Sequence, residues 1–390
     1  MKRFLYTLLI VLYATCVNAQ SSQRGFFPSL GIEKPKVTPY FATQDIIRKN
    51  QTSSGYPKNK DATKFLEKAV KENNAVNAEK LLKAGASGFV TYEMIDKRQY
   101  EIIDVMYKDN PRIIRYSQLL HYACAKSDAK MIDFLIEREG SLDLNGYAVH
   151  YDGKWFNLSY RWNNDNKYTF TPADVALYYQ KWDNLNHIIN KYNKYPTIYG
   201  CGAFLLQCIK TAKPDNKDFE LVKGFISGTD SHSQFLKNVD FSITDIFNFG
   251  CHFLAGHQYG KYGHVKSSFL INEVISKIAE CRSVKSSGDK GFIDLLNLMI
   301  AKGANVNPQE ENGAFWRELK SVGINNVADY VNTTPMYVAL TNKNMLDVVK
   351  LLYSKGASLK TTANGETVSM LKLPKVLDEY KEYFMLEGIQ

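Results

Sequence analysis

Covalent cross-links and local catalytic motifs are what this sequence has least of. Its 390 residues include six cysteines. Cys16 falls in the N-terminal apolar run, which leaves Cys124, Cys201, Cys208, Cys251 and Cys281. An odd set at irregular spacing excludes a disulfide framework, and none or one bridge is expected. Cys124 and Cys208 sit in apolar helical patterns, where a buried free thiol is the ordinary state. There is no His-Glu-x-x-His and no Gly-x-Ser-x-Gly. "GHQYGK", Gly256 to Lys261, is one residue short of a phosphate loop, and Tyr262 stands where a magnesium-binding Ser or Thr belongs. Cys251, His252, His257 and His264 are zinc-ligand types at irregular spacing, and with Cys251 in an apolar helix-like run they read as a core helix cysteine with loop histidines. No metal and no cofactor is expected, and no catalytic residue is assigned. Long apolar runs are absent beyond the first residues, so no membrane span is expected in the mature chain.

That first run, MKRFLYTLLIVLYATCVNAQ, has a basic start at Lys2 and Arg3, an apolar middle and small residues at Val17-Asn18-Ala19. It reads as a secretory signal over 1–19, cleaved after Ala19. The mature protein is expected to be periplasmic or secreted. Losing Lys2 and Arg3 lowers the net charge from +9 to +7. Such a charge favours acidic partners, while export argues against nucleic acid. At 45% hydrophobic residues the chain can bury a large core.

What the sequence does contain is an internal echo. "TTPMYVALTNKNMLDVVKLLYSKGASL", 333–359, has relatives at 65–87, 119–142 and 171–192, and 292–307 repeats the second half. A short helix opens near Thr-Pro, where Thr caps free N–H groups and Pro fits the first turn. Small residues follow, namely Ala69, Ala123, Ala176 and Ala339. After a polar turn, a second helix carries apolar residues at helical spacing and ends at Gly85, Gly303 or Gly356.

"LLHYA" at 119–123, "TPADVA" at 171–176, "TTPMYVA" at 333–339 and "GANVN" at 303–307, in a frame of roughly 33 residues, resemble the ankyrin repeat. The resemblance implies an all-α repeat fold, an ankyrin-like solenoid of about seven helix-turn-helix units with a β-hairpin insertion. A leader at 20–60 precedes the array at 61–390. Repeats near 61–90, 117–146, 169–195 and 333–362 fit well, whereas 88–116, 198–230 and 240–307 fit as degenerate units. The segment 146–168 reads as a hairpin around Asp152-Gly153. Residues 308–332 form a second insertion, and 363–390 a charged helical cap. His121 falls where the family has a structural histidine.

In the ankyrin family the inner-helix ends and turns tend to face a concave binding side. The residues there are Lys126 and Asp128, then Tyr178, Tyr179, Lys181 and Trp182, then Asn342 and Lys343. Trp155, Phe156 and Trp162 would project from the hairpin. Exposed Tyr and Trp are effective anchors. The expected function is non-enzymatic binding of a protein partner by a monomer. A glycan or cell-envelope ligand, inhibition of a toxin or hydrolase, and an active site within 195–285 are alternatives left open by the residues.

Overall fold

Threonine and asparagine side chains cap the starts of seven helices among the described residues. The structure is a computed structural model that describes residues 59–115, 119–138, 140, 142, 149–151, 154–156, 170–213, 216–248, 251–253, 266–308, 334–363 and 366–389. Thr171 Oγ1 accepts the Asp174 N–H at 3.2 Å, and Asp174 Oδ2 accepts the Thr171 N–H at 2.8 Å. This reciprocal box satisfies donors that a helix start leaves open, and Pro172 follows because it has no N–H to satisfy. Thr334 and Pro335 repeat the arrangement without the box. Thr91, Thr197, Asn74 and Asn216 each cap one further helix.

The chain is mostly helical, an all-α fold with short hairpins. In order, α1 (Lys60–Lys71) pairs with α2 (Ala75–Lys83), and α3 (Tyr92–Asp96) with α4 (Tyr100–Asp109). The single turn α5 (Arg112–Arg115) follows. Next α6 (Leu119–Lys126) pairs with α7 (Ala129–Glu137), α8 (Pro172–Tyr178) with α9 (Trp182–Tyr192), and α10 (Ile198–Thr211) with α11 (Lys217–Ser227). A 3₁₀ segment (Ser231–Asn238) and α12 (Ile243–Asn248) precede α13 (Leu270–Ser283), which pairs with α14 (Asp289–Ala301). Finally α15 (Pro335–Leu340) pairs with α16 (Leu346–Ser354), and α17 (Asp378–Leu386) follows.

First helices pack on first helices: α3 on α6, α6 on α8, α8 on α10, α10 on α13 and α13 on α15. Second helices do the same for α2 with α4, α7 with α9, and α11 with α14. Ala69, Ala123, Ala176 and Ala339 are fully buried, as their small size at a close helix contact predicts. Each wholly buried Leu, Ile or Met, such as Leu66, Met106, Leu135 and Ile188, contributes about 2 kcal/mol of apolar burial.

Five of the seven turns within pairs share one backbone feature. Asn73, Arg98, Gln180, Lys285 and Asn344 all have φ between 52° and 60°. In the first four turns the next N–H bonds back to a carbonyl five residues earlier: Asn74 to Ala69, Gln99 to Met94, Lys181 to Ala176 and Ser286 to Cys281. This closure satisfies carbonyls that the helix end leaves open.

Side chains then stitch one turn to the next. Gln99 Nε2 donates to Val70 O at 2.8 Å, and Asn184 Nδ2 to Cys124 O at 3.0 Å and Ser127 O at 3.1 Å. Arg282 reaches Asn344 O and Asp347, and the Tyr380 hydroxyl donates to Asn342 O while accepting the Met345 N–H. At the opposite edge His121 Nε2 donates to Phe170 O at 3.1 Å. This is the structural linking role expected of that histidine.

Two local expectations are corrected. Cys251 does not lie in a helix: it opens β3 (Cys251–Phe253), paired antiparallel with β4 (Lys266–Ser268). After β4 the chain enters α13 at Leu270. The C-terminal cap begins as a hairpin, β5 (Lys360–Ala363) with β6 (Glu366–Ser369), before α17. The Asp152-Gly153 hairpin is present, with β1 (Val149–Tyr151) opposite β2 (Lys154–Phe156). The leader is outside the described residues apart from its last two positions, as is the second insertion apart from Pro308.

Candidate functional surface

The best-formed polar and aromatic cluster lies where α6, α8, α9 and α10 meet. Lys126 ends α6, Tyr178 ends α8, Tyr179 and Lys181 form the turn, and Trp182 opens α9. Lys126 Nζ stands 5.1 Å from the centre of the Tyr179 ring, a cation–π distance. Tyr179 meets Tyr178 edge to face at 5.5 Å, and Tyr178 meets Phe170 at 5.8 Å. Trp182 and Phe204 meet edge to face at 6.0 Å, and Trp182 stacks on His232 at 4.2 Å. Asp230 Oδ1 lies 3.0 Å from His232 Nδ1 and accepts the His232 N–H at 2.6 Å, so it fixes the imidazole. Lys126, Lys181 and His232 are exposed; Tyr178, Tyr179 and Trp182 are half-buried.

The structure thus joins Lys126, Tyr178 and Tyr179 directly and places Lys181 and Trp182 beside them. It does not bring in Asp128, Asn342 or Lys343. Asp128 caps α7 by accepting the Met131 N–H at 3.0 Å and pairs with Arg98 at 2.8 Å. Asn342 donates to Val338 O at 2.7 Å and receives Tyr380 on its carbonyl, so its role is to hold the last turn. Lys343 is exposed on that turn, with the α10–α11 and α13–α14 pairs between it and the cluster. Trp155 and Phe156 sit opposite His150 and Val149 in the β1–β2 register, and Trp162 is outside the described residues. His232, Asp230 and Phe204 were missed because only the tertiary fold carries them to Trp182.

No protein-family model matches the chain, and no curated protein matches its sequence.

The titratable groups suit structure and contact. Burial raises the Tyr178 and Tyr179 hydroxyls, with Tyr179 adding to the rise at Tyr178. Burial pushes the Cys208 thiol up to about 12 and raises Cys124 and Cys201, so these thiols stay protonated and poorly nucleophilic. Cys124, Cys201, Cys208 and Cys281 are all free. A second cluster joins α7 and α9: Asp133 Oδ1 accepts from Tyr192 at 2.6 Å and lies 2.7 Å from His187 Nε2, while Lys191 bonds Oδ2 at 2.8 Å. Burial would raise Asp133, but hydrogen bonds from Lys191, Tyr192 and His187 outweigh it and hold the carboxyl at about 2. Among the described residues no three His, Cys, Asp or Glu side chains are arranged to hold a metal, and no helix is long and apolar enough to cross a membrane.

Asp174 is the exceptional acid. It is fully buried, and its Oδ1 accepts the Thr197 N–H at 2.6 Å while Oδ2 accepts the Thr197 hydroxyl at 2.9 Å. One carboxylate therefore ties the start of α8 to the start of α10. Burial pushes its pKa up to about 6, against the opposing pull of the Thr171 and Thr197 donors. A carboxyl raised in the folded state binds its proton more tightly there than in the unfolded chain. Its contribution therefore favours the fold in acid and fades as pH rises from about 4 to about 6, by on the order of 3 kcal/mol. Urea unfolding of Asp174→Asn across that window will lack this slope, and a difference from wild type that stays constant with pH would refute the assignment.

Proposed function

We propose that this chain is an exported ankyrin-type solenoid of about seven helix pairs that binds a protein partner and performs no catalysis. The order of Thr-Pro cap, small-residue helix, closed turn and glycine-ended second helix supports the repeat reading. So does the stacking of like helix on like helix. A row joined only between neighbours presents a rigid surface without metal or disulfide.

The observation that carries the binding role is the cluster at adjoining turns. Tyr178, Tyr179 and Trp182 are held by Lys126, Phe204 and His232, yet each keeps part of its surface open. Aromatic groups ordered before binding lose little entropy on contact. The partner meets the side formed by the first helices and their turns, and the protein works as a monomer in the periplasm or outside the cell.

Cross-linking in the cell envelope, with a tag on the chain from Gln20 onward, tests this. One abundant co-purifying protein is expected, reduced more than about tenfold by Tyr179→Ala/Trp182→Ala. Circular dichroism of the double variant must match wild type, since Trp182 also packs on Phe204. Capture of envelope glycan alone, or of nothing, would overturn the protein-binding reading.

A further inference from the structure

Basic side chains recur along the turns. Each within-pair turn carries at least one: Arg98 and Lys126 are already engaged, by Asp128 and the Tyr179 ring. Lys71, Lys181, Lys213, Lys285 and Lys343 are exposed, and among the described residues none has a carboxylate within ion-pair distance. The far ends of the second helices differ. There Lys83 is paired with Glu79 at 2.8 Å, Arg138 with Asp104 at 2.7 Å and Lys191 with Asp133 at 2.8 Å. Lys302 and Lys355, at the ends of α14 and α16, are exposed with no carboxylate partner among the described residues, so unpaired positive charge occurs at both edges and is more frequent at the turns. Among the described turn acids, Glu72 and Asp128 are met by Lys68 and Arg98, while Asp183 is exposed beside Trp182; Asp215 in the α10–α11 turn lies outside the described residues.

We infer that the row of turns receives an extended acidic segment of the partner protein; this rests on the protein-binding reading above. The spacing selects the ligand. Packed helices stand about 8–10 Å apart, so neighbouring turns present their ammonium groups at about that interval. Extended polypeptide advances about 3.3 Å per residue, so a carboxylate at every third position matches the row. The rings at its centre argue against sugar stacking, because His232 covers a face of Trp182 and Lys126 lies over Tyr179. The exposed ammonium groups of Lys126 and Lys181 flank these rings, which suits carboxylate side chains on a flexible backbone.

The test uses the chain from Gln20 onward and a fluorescein-labelled peptide of about seven Glu-Gly-Ser repeats, a length that spans the row at ~3.3 Å per residue. Fluorescence anisotropy should detect binding that weakens as salt rises above about 0.15 M. The matching Gln-Gly-Ser peptide should not bind. A variant carrying Lys181→Glu, Lys213→Glu, Lys285→Glu and Lys343→Glu should lose more than about tenfold in affinity. These side chains are exposed, so the variant should keep the wild-type circular dichroism spectrum. Equal binding of the glutamine peptide, an unchanged affinity in the reversed variant, or tighter binding of a sulfated polysaccharide would overturn the inference. A partner captured from the envelope and still held by the reversed variant would remove the acidic segment while leaving the protein-binding reading intact. Capture of nothing by the wild-type chain would remove both.

Discussion

Gly200→Ala will cost the fold on the order of 4 kcal/mol, the largest effect expected from a single methyl group in this chain. A Cβ at position 200 would lie 2.0 Å from Asp174 Oδ1 and 2.3 Å from its Cγ. Neither group can step aside cheaply. Gly200 is inside α10, where Thr197 Oγ1 accepts its N–H, and Asp174 is buried and held by Thr171 and Thr197. Moving the carboxylate would strip buried N–H and O–H groups of their acceptor, which adds a desolvation cost to the steric one. Gly356→Ala is the comparison. Its φ of 84° strains any other residue, but nothing lies within 4 Å of the added Cβ, so about 1 kcal/mol is expected. Urea midpoints followed by circular dichroism will separate the two. Should Gly200→Ala prove no worse than Gly356→Ala, the joint between α8 and α10 is slack and the rigid-surface argument weakens.

Arg282→Met is expected to cost about 3 kcal/mol. The guanidinium is 14% exposed and donates to Asp289 Oδ2 at 2.9 Å and to both oxygens of Asp347 at 2.6 Å. It also donates to Asn344 O, so one side chain clasps the starts of α14 and α16. Hydrogen bonds to Asp347 and Asp289 raise the Arg282 pKa, and the same contact holds Asp347 below the usual carboxylate range. That lowered value stabilises the fold at neutral pH and is lost as acid protonates Asp347. Arg282→Lys should recover less than half of the loss, because an ammonium cannot offer two parallel N–H groups. A double-mutant cycle with Asp347→Asn should give a coupling of about 1.5 kcal/mol. A coupling near zero would mean that the pair is a surface contact without consequence.

Helix pairs were readable because their signals are local. Thr171-Pro172, Thr334-Pro335, Gly85, Gly303 and Gly356 each act within a few residues of where they stand, and the structure uses them as caps. The β1–β2 hairpin was readable for the same reason. The β5–β6 hairpin had an equivalent signal in Asn364-Gly365, but the segment was assigned to a helical cap. Three-residue strands such as β3 lack the length for alternation to stand out, so Cys251 was assigned to a helix. The surface cluster was readable only in part. Tyr179 and Trp182 are neighbours in sequence, but the grip of His232 on Trp182 comes from some 50 residues away. The roles of Asp174 and Arg282 likewise depend on partners that no local pattern names.

The two edges of the molecule differ in how freely their lengths vary. Within pairs, two to five residues join the helices, and backbone bonds close most of those turns. Between pairs the chain takes residues 138–171, 228–269 and 302–334 to come back, yet α6 still meets α8, α10 meets α13 and α13 meets α15. Insertions and deletions are therefore absorbed at the returning edge while the intervals between turns stay fixed. Chain length can therefore change on one side of the helix pairs without disturbing the turns on the other.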